Sequence, residues 1–282
     1  MSFGPLVGAG WLHEHLHDPD VRVIDFRWYL LERRGRDEYA RGHIPGAVFV
    51  DLEAVTGEKD SNARGRHPLP TRGQFESEMR KAGIDETTKV VVYDDSGASI
   101  AARLWFLLGW FGHGVQAVLD GGMQAWGRAL ETSITIPAAG SFQAREPDRS
   151  RILDFDEVCR LEGVPVLDAR AGERYRGERE PVDPKAGHIP GALSAPWMDN
   201  LGPDGRFKSP EELRERFAAL GADDGAVVYC GSGVNATHHL LAMDVAGLRG
   251  GRLYAGSWSD WSNRDAPVAT GNEPGQGFRI LR

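Results

Sequence analysis

The stretch AVVYCGSGVNATHHLLAMDVAGL, Ala226–Leu248, changes its hydrophobic pattern halfway along. Ala226–Tyr229 is a short continuous apolar run, as a strand buried on both faces requires. Ala236–Ala246 has helix length, and Leu240, Leu241, Met243 and Val245 keep it mostly apolar. Between the two, Cys230 opens a tight loop containing Gly231 and Gly233. Glycine lets successive N–H groups turn inward and converge into an anion-binding nest, and the following helix adds its N-terminal partial charge. A thiol there reads as a nucleophilic thiolate; its placement outweighs the plainer reading of a small buried core residue.

The same order of features occurs a second time. KVVVYDDSGAS, Lys89–Ser99, is again a β-branched strand running into a Ser-Gly loop and then an apolar helix. Upstream, GHIPGA stands at Gly42–Ala47 and again, unchanged, at Gly187–Ala192. Each copy follows a short apolar strand ending in aspartate, VRVID to Asp25 and VPVLD to Asp168. Each half ends on a further strand, near Leu119 or Leu253, and a Gly-then-Trp segment, GGMQAW or AGSWSDW. The chain is a tandem duplication. Strands alternating with helices predict an α/β fold, two tandem domains each with a parallel sheet flanked by helices. The segment Ser133–Ser150 interrupts the repeat without a helical period and carries two prolines. The expected division is residues 1–135, a linker over 136–150, and residues 151–282. Helix ends are legible too. Ser209-Pro210-Glu211-Glu212 is a capping box with proline at the first helical position, and Gly221 stops that helix; its counterpart runs from Thr71 to Gly83.

The bulk properties narrow the function classes. The 282 residues suffice for about two domains, and 41% hydrophobic with 26% charged residues is ordinary globular usage. A net charge of -8 argues against nucleic acid or an anionic membrane as partner. Cys159 and Cys230 are the only cysteines, too few for a disulfide framework or a four-thiolate zinc site. The first residues, MSFGPLVGAGWLHEHLHD, lack a basic n-region, and the most apolar run, Ile100–Phe111, contains Arg103 and is too short to cross a bilayer. The chain therefore reads as soluble and cytoplasmic. Of His13, His15 and His17 only His13 and His17 would share a face of a surface helix, and no third ligand is in view, so no metal or cofactor is expected. Cys159, in DFDEVCRLEG, reads as an inward-packed helix residue.

The duplicated GHIPGA, the strand-Cys-loop-helix and the Gly-Ser-Trp segment at Trp258 resemble the tandem-domain rhodaneses, the thiosulfate and 3-mercaptopyruvate sulfurtransferases. The resemblance runs from Leu6 to Val268 and implies sulfur transfer through a Cys230 persulfide, cradled by Gly231, Ser232, Gly233, Val234 and Asn235. It implies a small anionic sulfur donor and a thiol or cyanide acceptor, thioredoxin among the thiols. The N-terminal copy is implied to be silent, since Asp94 stands where Cys230 stands in the second. CGSGVNA is similar to the mercaptopyruvate-type loop CGSGVTA, with Asn235 for threonine. The resemblance further points to Arg170 and Arg174 of DARAGERYRG as donor-binding residues and to Trp28 as a pocket wall. The physical reason for arginine is its fixed fork of donors, which suits carboxylate or sulfonate oxygens. Without the resemblance, the alternating charges there read equally well as a solvated loop. A relay of Ser232, His43 and Asp37 beside the cysteine is also implied, although a histidine in both copies of GHIPGA equally fits a turn organiser. Where some mercaptopyruvate-type members carry a further arginine, this chain has Val182 in a shorter loop.

Two rival readings share parts of this pattern. A cysteine phosphatase needs an arginine closing the loop, and Ala236 occupies that place. A noncatalytic binding or sulfur-sensing module is the alternative from a different class, and the retained Cys230 on an intact glycine loop speaks against it.

Overall fold

The computed structural model describes residues 3–31, 33–58 and 65–275. In the first half the strands are β1 (Leu6–Val7), β2 (Val21–Asp25), β3 (Val48–Phe49), β4 (Lys89–Tyr93) and β5 (Gln116–Leu119). In the second half they are β6 (Ile152–Leu153), β7 (Val166–Asp168), β8 (Leu193–Ser194), β9 (Val227–Tyr229) and β10 (Arg252–Tyr254). They form two five-stranded sheets, ordered β1-β5-β4-β2-β3 and β6-β10-β9-β7-β8. Every pairing is parallel, and the second order is the first shifted by five strands. The central strands β4 and β9 are walled on both faces, which explains their uninterrupted apolar sequences.

The predicted helix ends are present. Thr71 caps the helix Arg72–Lys81, and Ser209 with Glu212 forms the capping box of the helix Pro210–Ala219. Gly83 and Gly221 follow the C-caps of these helices with φ of +72° and +66°, the left-handed conformation that ends a helix cheaply only at glycine.

The repeated motifs build one scaffold twice. Asp25 at the end of β2 accepts hydrogen bonds from the Arg27 guanidinium and the Tyr93 hydroxyl, and Arg27 also donates to the Gly42 carbonyl. Asp168, Arg170, Tyr229 and Gly187 repeat this arrangement. Tyr93 and Tyr229 in turn accept from the N–H groups of Ile44 and Ile189, so the buried ion pair anchors GHIPGA to the central strand in both copies.

The chain divides into two compact units whose boundaries differ from the contiguous ranges expected. The first comprises 1–57, 69–147 and 203–207; the second comprises 58–68, 148–202 and 208–282. The expected linker, 136–150, is therefore mostly part of the first unit. Its Phe142 is fully buried beside Phe75 and His113, and the N–H groups of Gly140, Phe142 and Arg145 bond to Arg80, Ile84 and Phe111. A single aromatic anchor with backbone pairing holds such a segment without any helical or strand period. Among the described residues, no helix is long and apolar enough to cross a membrane.

Candidate active site

Cys230 follows directly on β9 and is 2% exposed. Its N–H donates to Ser257 Oγ, its carbonyl accepts from Trp258 N–H, and the Gly231 carbonyl accepts from Ser259 N–H. The loop is thus pinned to the short helix Ser257–Trp261. Ser257 holds a φ of +54°, where the first repeat has Gly122 at +57°. A non-glycine residue in the left-handed region stores strain, and here its hydroxyl is what orients the cysteine backbone. Gly233 is required by space as well as conformation: at φ +79°, a Cβ would lie 2.5 Å from the Ala255 carbonyl oxygen. Among the described residues, the N–H groups of Ser232 and Val234 meet no protein acceptor. They are available to an anion on the cysteine sulfur. Gly231 and Asn235 complete the predicted cradle, Asn235 being its half-buried member.

The corresponding loop of the first unit is closed. Asp94 is fully buried and accepts from the N–H groups of Ser96, Ala98, Ile100 and Ala101. Burial pushes this carboxyl above its ordinary range despite those four bonds pulling it down. Its own oxygens fill the nest that the second loop leaves open.

The expected relay is corrected by the placement of its histidine. His43 is fully buried, stacks on Tyr39 at 3.8 Å, bonds through Nδ1 to the Tyr39 carbonyl and lies with Nε2 3.4 Å from Glu131. His188 repeats the stacking and the Nδ1 bond with Tyr175. Both GHIPGA histidines are therefore turn organisers. Asp37 is exposed in the first turn of the helix Gly35–Arg41. The residue against Ser232 is His67: Ser232 Oγ and His67 Nδ1 share a hydrogen bond of 2.8 Å, both side chains being buried. His67 lies in the segment 58–68, which belongs to the second unit. Its signal in sequence is weak: a histidine between Arg66 and Pro68, outside any periodic segment.

The two predicted arginines separate. Arg170 is 4% exposed, with Nε and Nη2 on Asp168, Nη2 also on the Gly187 carbonyl, and Nη1 on Glu180. Arg27 makes the same bonds to Asp25 and Gly42 in the other unit. Arg170 is thus a scaffold residue, and its assignment to donor binding is corrected. Arg174 does reach the loop. Its Nη1 lies 3.4 Å from where a Cβ on Gly231 would stand, while Glu180 and Asp183 hold its Nη2. Arg66 reaches the same place, with Nη2 2.9 Å from that position and Nη1 paired to Asp183. Trp28, half-buried in the first unit, donates to Glu53.

Cys159 ends the helix Phe155–Cys159 inside the second core, and burial pushes its thiol up to about 11. Such a thiol is inert at neutral pH. Ala236, at the place a phosphatase fills with arginine, is fully buried. Among the described residues no cluster suited to a metal ion occurs.

The rhodanese-like domain model matches residues 8–129 and 154–264. The chain is 44% identical over 286 residues to a Pseudomonas aeruginosa protein named probable 3-mercaptopyruvate sulfurtransferase, covering 96% of this chain and all of that one. It is 35% identical to the thiosulfate sulfurtransferase of Bos taurus, covering 96% of each. The crystal structure of a 3-mercaptopyruvate sulfotransferase from Escherichia coli superposes with a TM-score of 0.79 at 33% identity, over 90% of this chain and 99% of that one. With two matching domains, a repeated parallel sheet and a cysteine on the loop after the central strand, the chain belongs to the rhodanese family.

Proposed function

We propose that this protein is a sulfurtransferase that moves a sulfane sulfur from a small anionic donor to a thiophilic acceptor through a persulfide on Cys230. The observation that carries this is a thiol at the head of a glycine loop whose Ser232 and Val234 N–H groups have no protein acceptor among the described residues. The thiolate attacks the donor's outer sulfur. With thiosulfate the S–S bond breaks and sulfite leaves with the electron pair. With 3-mercaptopyruvate the C–S bond breaks, and the pyruvate enolate that leaves takes up one proton. Ser232 lies two residues after Cys230 on the loop, and its bond to His67 gives it a route to a proton. The persulfide then passes its outer sulfur to cyanide or a thiol, a thioredoxin-type dithiol included. A persulfide discharged by thiols suits a reducing compartment, which supports a cytoplasmic location. The first unit is catalytically silent, because Asp94 offers no sulfur and fills its own nest.

We favour 3-mercaptopyruvate over thiosulfate as the better donor. The Ser232–His67 pair serves the proton-requiring reaction, which only the mercaptopyruvate donor presents. The test is the ratio of kcat/KM for the two donors with cyanide as common acceptor. A ratio favouring thiosulfate by roughly tenfold, about 1.4 kcal/mol in the transition state, would reverse the assignment.

A further inference from the structure

Arg66 has no counterpart among the residues that the sequence singled out, yet it stands against the active loop. Its backbone N–H is tied to Ser259 Oγ at 3.1 Å, and Ser259 in turn donates its own N–H to the Gly231 carbonyl. The side chain therefore starts from a point fixed to the loop itself. Its Nη1 pairs with Asp183, whose side chain is 2% exposed, while Nη2 lies 2.9 Å from the position of a Gly231 Cβ. Its Nε is buried without a hydrogen-bond partner. Arg174 Nη1 approaches the same point at 3.4 Å.

Two guanidinium groups so placed repel one another, and buried carboxylates hold them together. Asp183 bridges them, and Glu180 secures Arg174 from the other side. Burial pushes the Asp183 carboxyl above its ordinary range, so the bridge is itself under electrostatic cost. The two guanidinium groups and the two carboxylates cancel in charge, but Arg66 Nη2 and Arg174 Nη1, the nitrogens nearest the Gly231 position, bond to neither carboxylate and offer donors to an anion. Their position decides which anion. Arg66 Nη2 lies 2.9 Å from where a Cβ on Gly231 would stand, at the residue that directly follows the reacting cysteine. In thiosulfate the anionic oxygens sit two bonds from the sulfur that is transferred. In 3-mercaptopyruvate the carboxylate is separated from the sulfur by two carbons.

We propose that Arg66 is a donor-specificity residue that binds the sulfonate end of thiosulfate and supplies the positive charge Gly231 and Ser232 lack. This rests on the sulfurtransferase reading and deepens it: whatever the preferred donor, the thiosulfate reaction depends on Arg66 and the mercaptopyruvate reaction much less. One charge-assisted hydrogen bond lost from a dianion corresponds to roughly tenfold or more in affinity.

The experiment compares wild type with Arg66→Ala, Arg66→Lys and Asp183→Asn, measuring KM and kcat for both donors with cyanide as acceptor. Arg66→Ala should raise the thiosulfate KM at least tenfold and the 3-mercaptopyruvate KM by less than threefold. Arg66→Lys should restore part of the thiosulfate affinity, since charge returns without the fork. Asp183→Asn removes the carboxylate that holds Arg66 and Arg174 together and should raise the thiosulfate KM. Intact mass after treatment with 3-mercaptopyruvate reports whether each variant still takes one sulfur onto Cys230, which separates a collapsed loop from a lost contact. Equal effects on both donors, or unchanged KM values in Arg66→Ala, would overturn the specificity role while leaving the persulfide reading intact. Failure of the wild type itself to acquire sulfur would instead remove the reading on which the proposal rests.

Discussion

At the ends of β4 and β9 the same loop is built twice around different headgroups. After β4 the Asp94 carboxylate accepts four N–H bonds from its own loop, and the nest is saturated. After β9 Cys230 offers one sulfur, and the nest stays open. Beneath them the Asp-Arg-Tyr scaffold is the same bond for bond. The second unit adds a chain of charges that the described residues of the first do not show: Glu180 joins Arg170 to Arg174, and Asp183 joins Arg174 to Arg66. Duplication thus kept what folds the domain. The two copies differ in the residue at the strand end and in what converges on it.

The scaffold gives the largest expected effect and tests the shared half of that comparison. Arg27→Ala and Arg170→Ala should each destabilise the protein by about 3–5 kcal/mol, because each leaves Asp25 or Asp168 buried without its cation. Denaturant unfolding measures this. Folded Arg170→Ala should keep its donor KM; a tenfold rise at unchanged stability would return Arg170 to the donor site.

Asp94→Ala tests the difference between the loops. It strips the acceptor from four N–H groups, at about 1–3 kcal/mol for each that stays buried and unpaired. Sulfur transfer by the folded fraction should persist. A variant as stable as wild type would mean the carboxylate is not what closes the first nest.

The helices after the two loops differ in a smaller way that pH exposes. His239 is fully buried, donating from Nε2 to the Ala195 carbonyl and accepting at Nδ1 from Asn200. Burial, helped by Arg216, pushes its pKa from 6.5 down to about 3. The unfolded chain therefore binds the proton first as pH falls. This residue's contribution is whole above about pH 6.5 and is lost toward pH 3, at up to about 1.4 kcal/mol per pH unit. The matching position in the first unit is Arg103, which brings no such titration at these pH values. Urea midpoints between pH 7.5 and 5 should fall less steeply in His239→Gln than in wild type; identical slopes would show that His239 is not held neutral.

The contrast between units also explains what the sequence made legible. Periodicity, GHIPGA and the caps at Ser209 and Thr71 predict the duplicated parallel sheets, because local chemistry fixes those features. Cys230 is legible for the same reason: strand, thiol and glycines are contiguous. Arg170 is not, because donor-binding and scaffold arginines look alike until Asp168 and Arg27 are seen in place. His67 and Arg66 are hidden for another reason. They lie in an irregular stretch in the first half of the sequence but pack with the second unit, a long-range choice that no local pattern encodes. His238 and His239 show a third case: adjacent in sequence, both reach the Asn200 amide, which no local pattern announces.

The most direct test of the central claim, that chemistry resides on the open loop alone, is intact-mass measurement after treatment with 3-mercaptopyruvate or thiosulfate in the absence of an acceptor. Wild type and Cys159→Ser should each gain one sulfur atom, mapped by peptide analysis to Cys230, and lose it when cyanide is added. Cys230→Ser should gain none and should not turn over. A sulfur on Cys159, an unchanged wild-type mass in an active preparation, or full activity in Cys230→Ser would contradict the account.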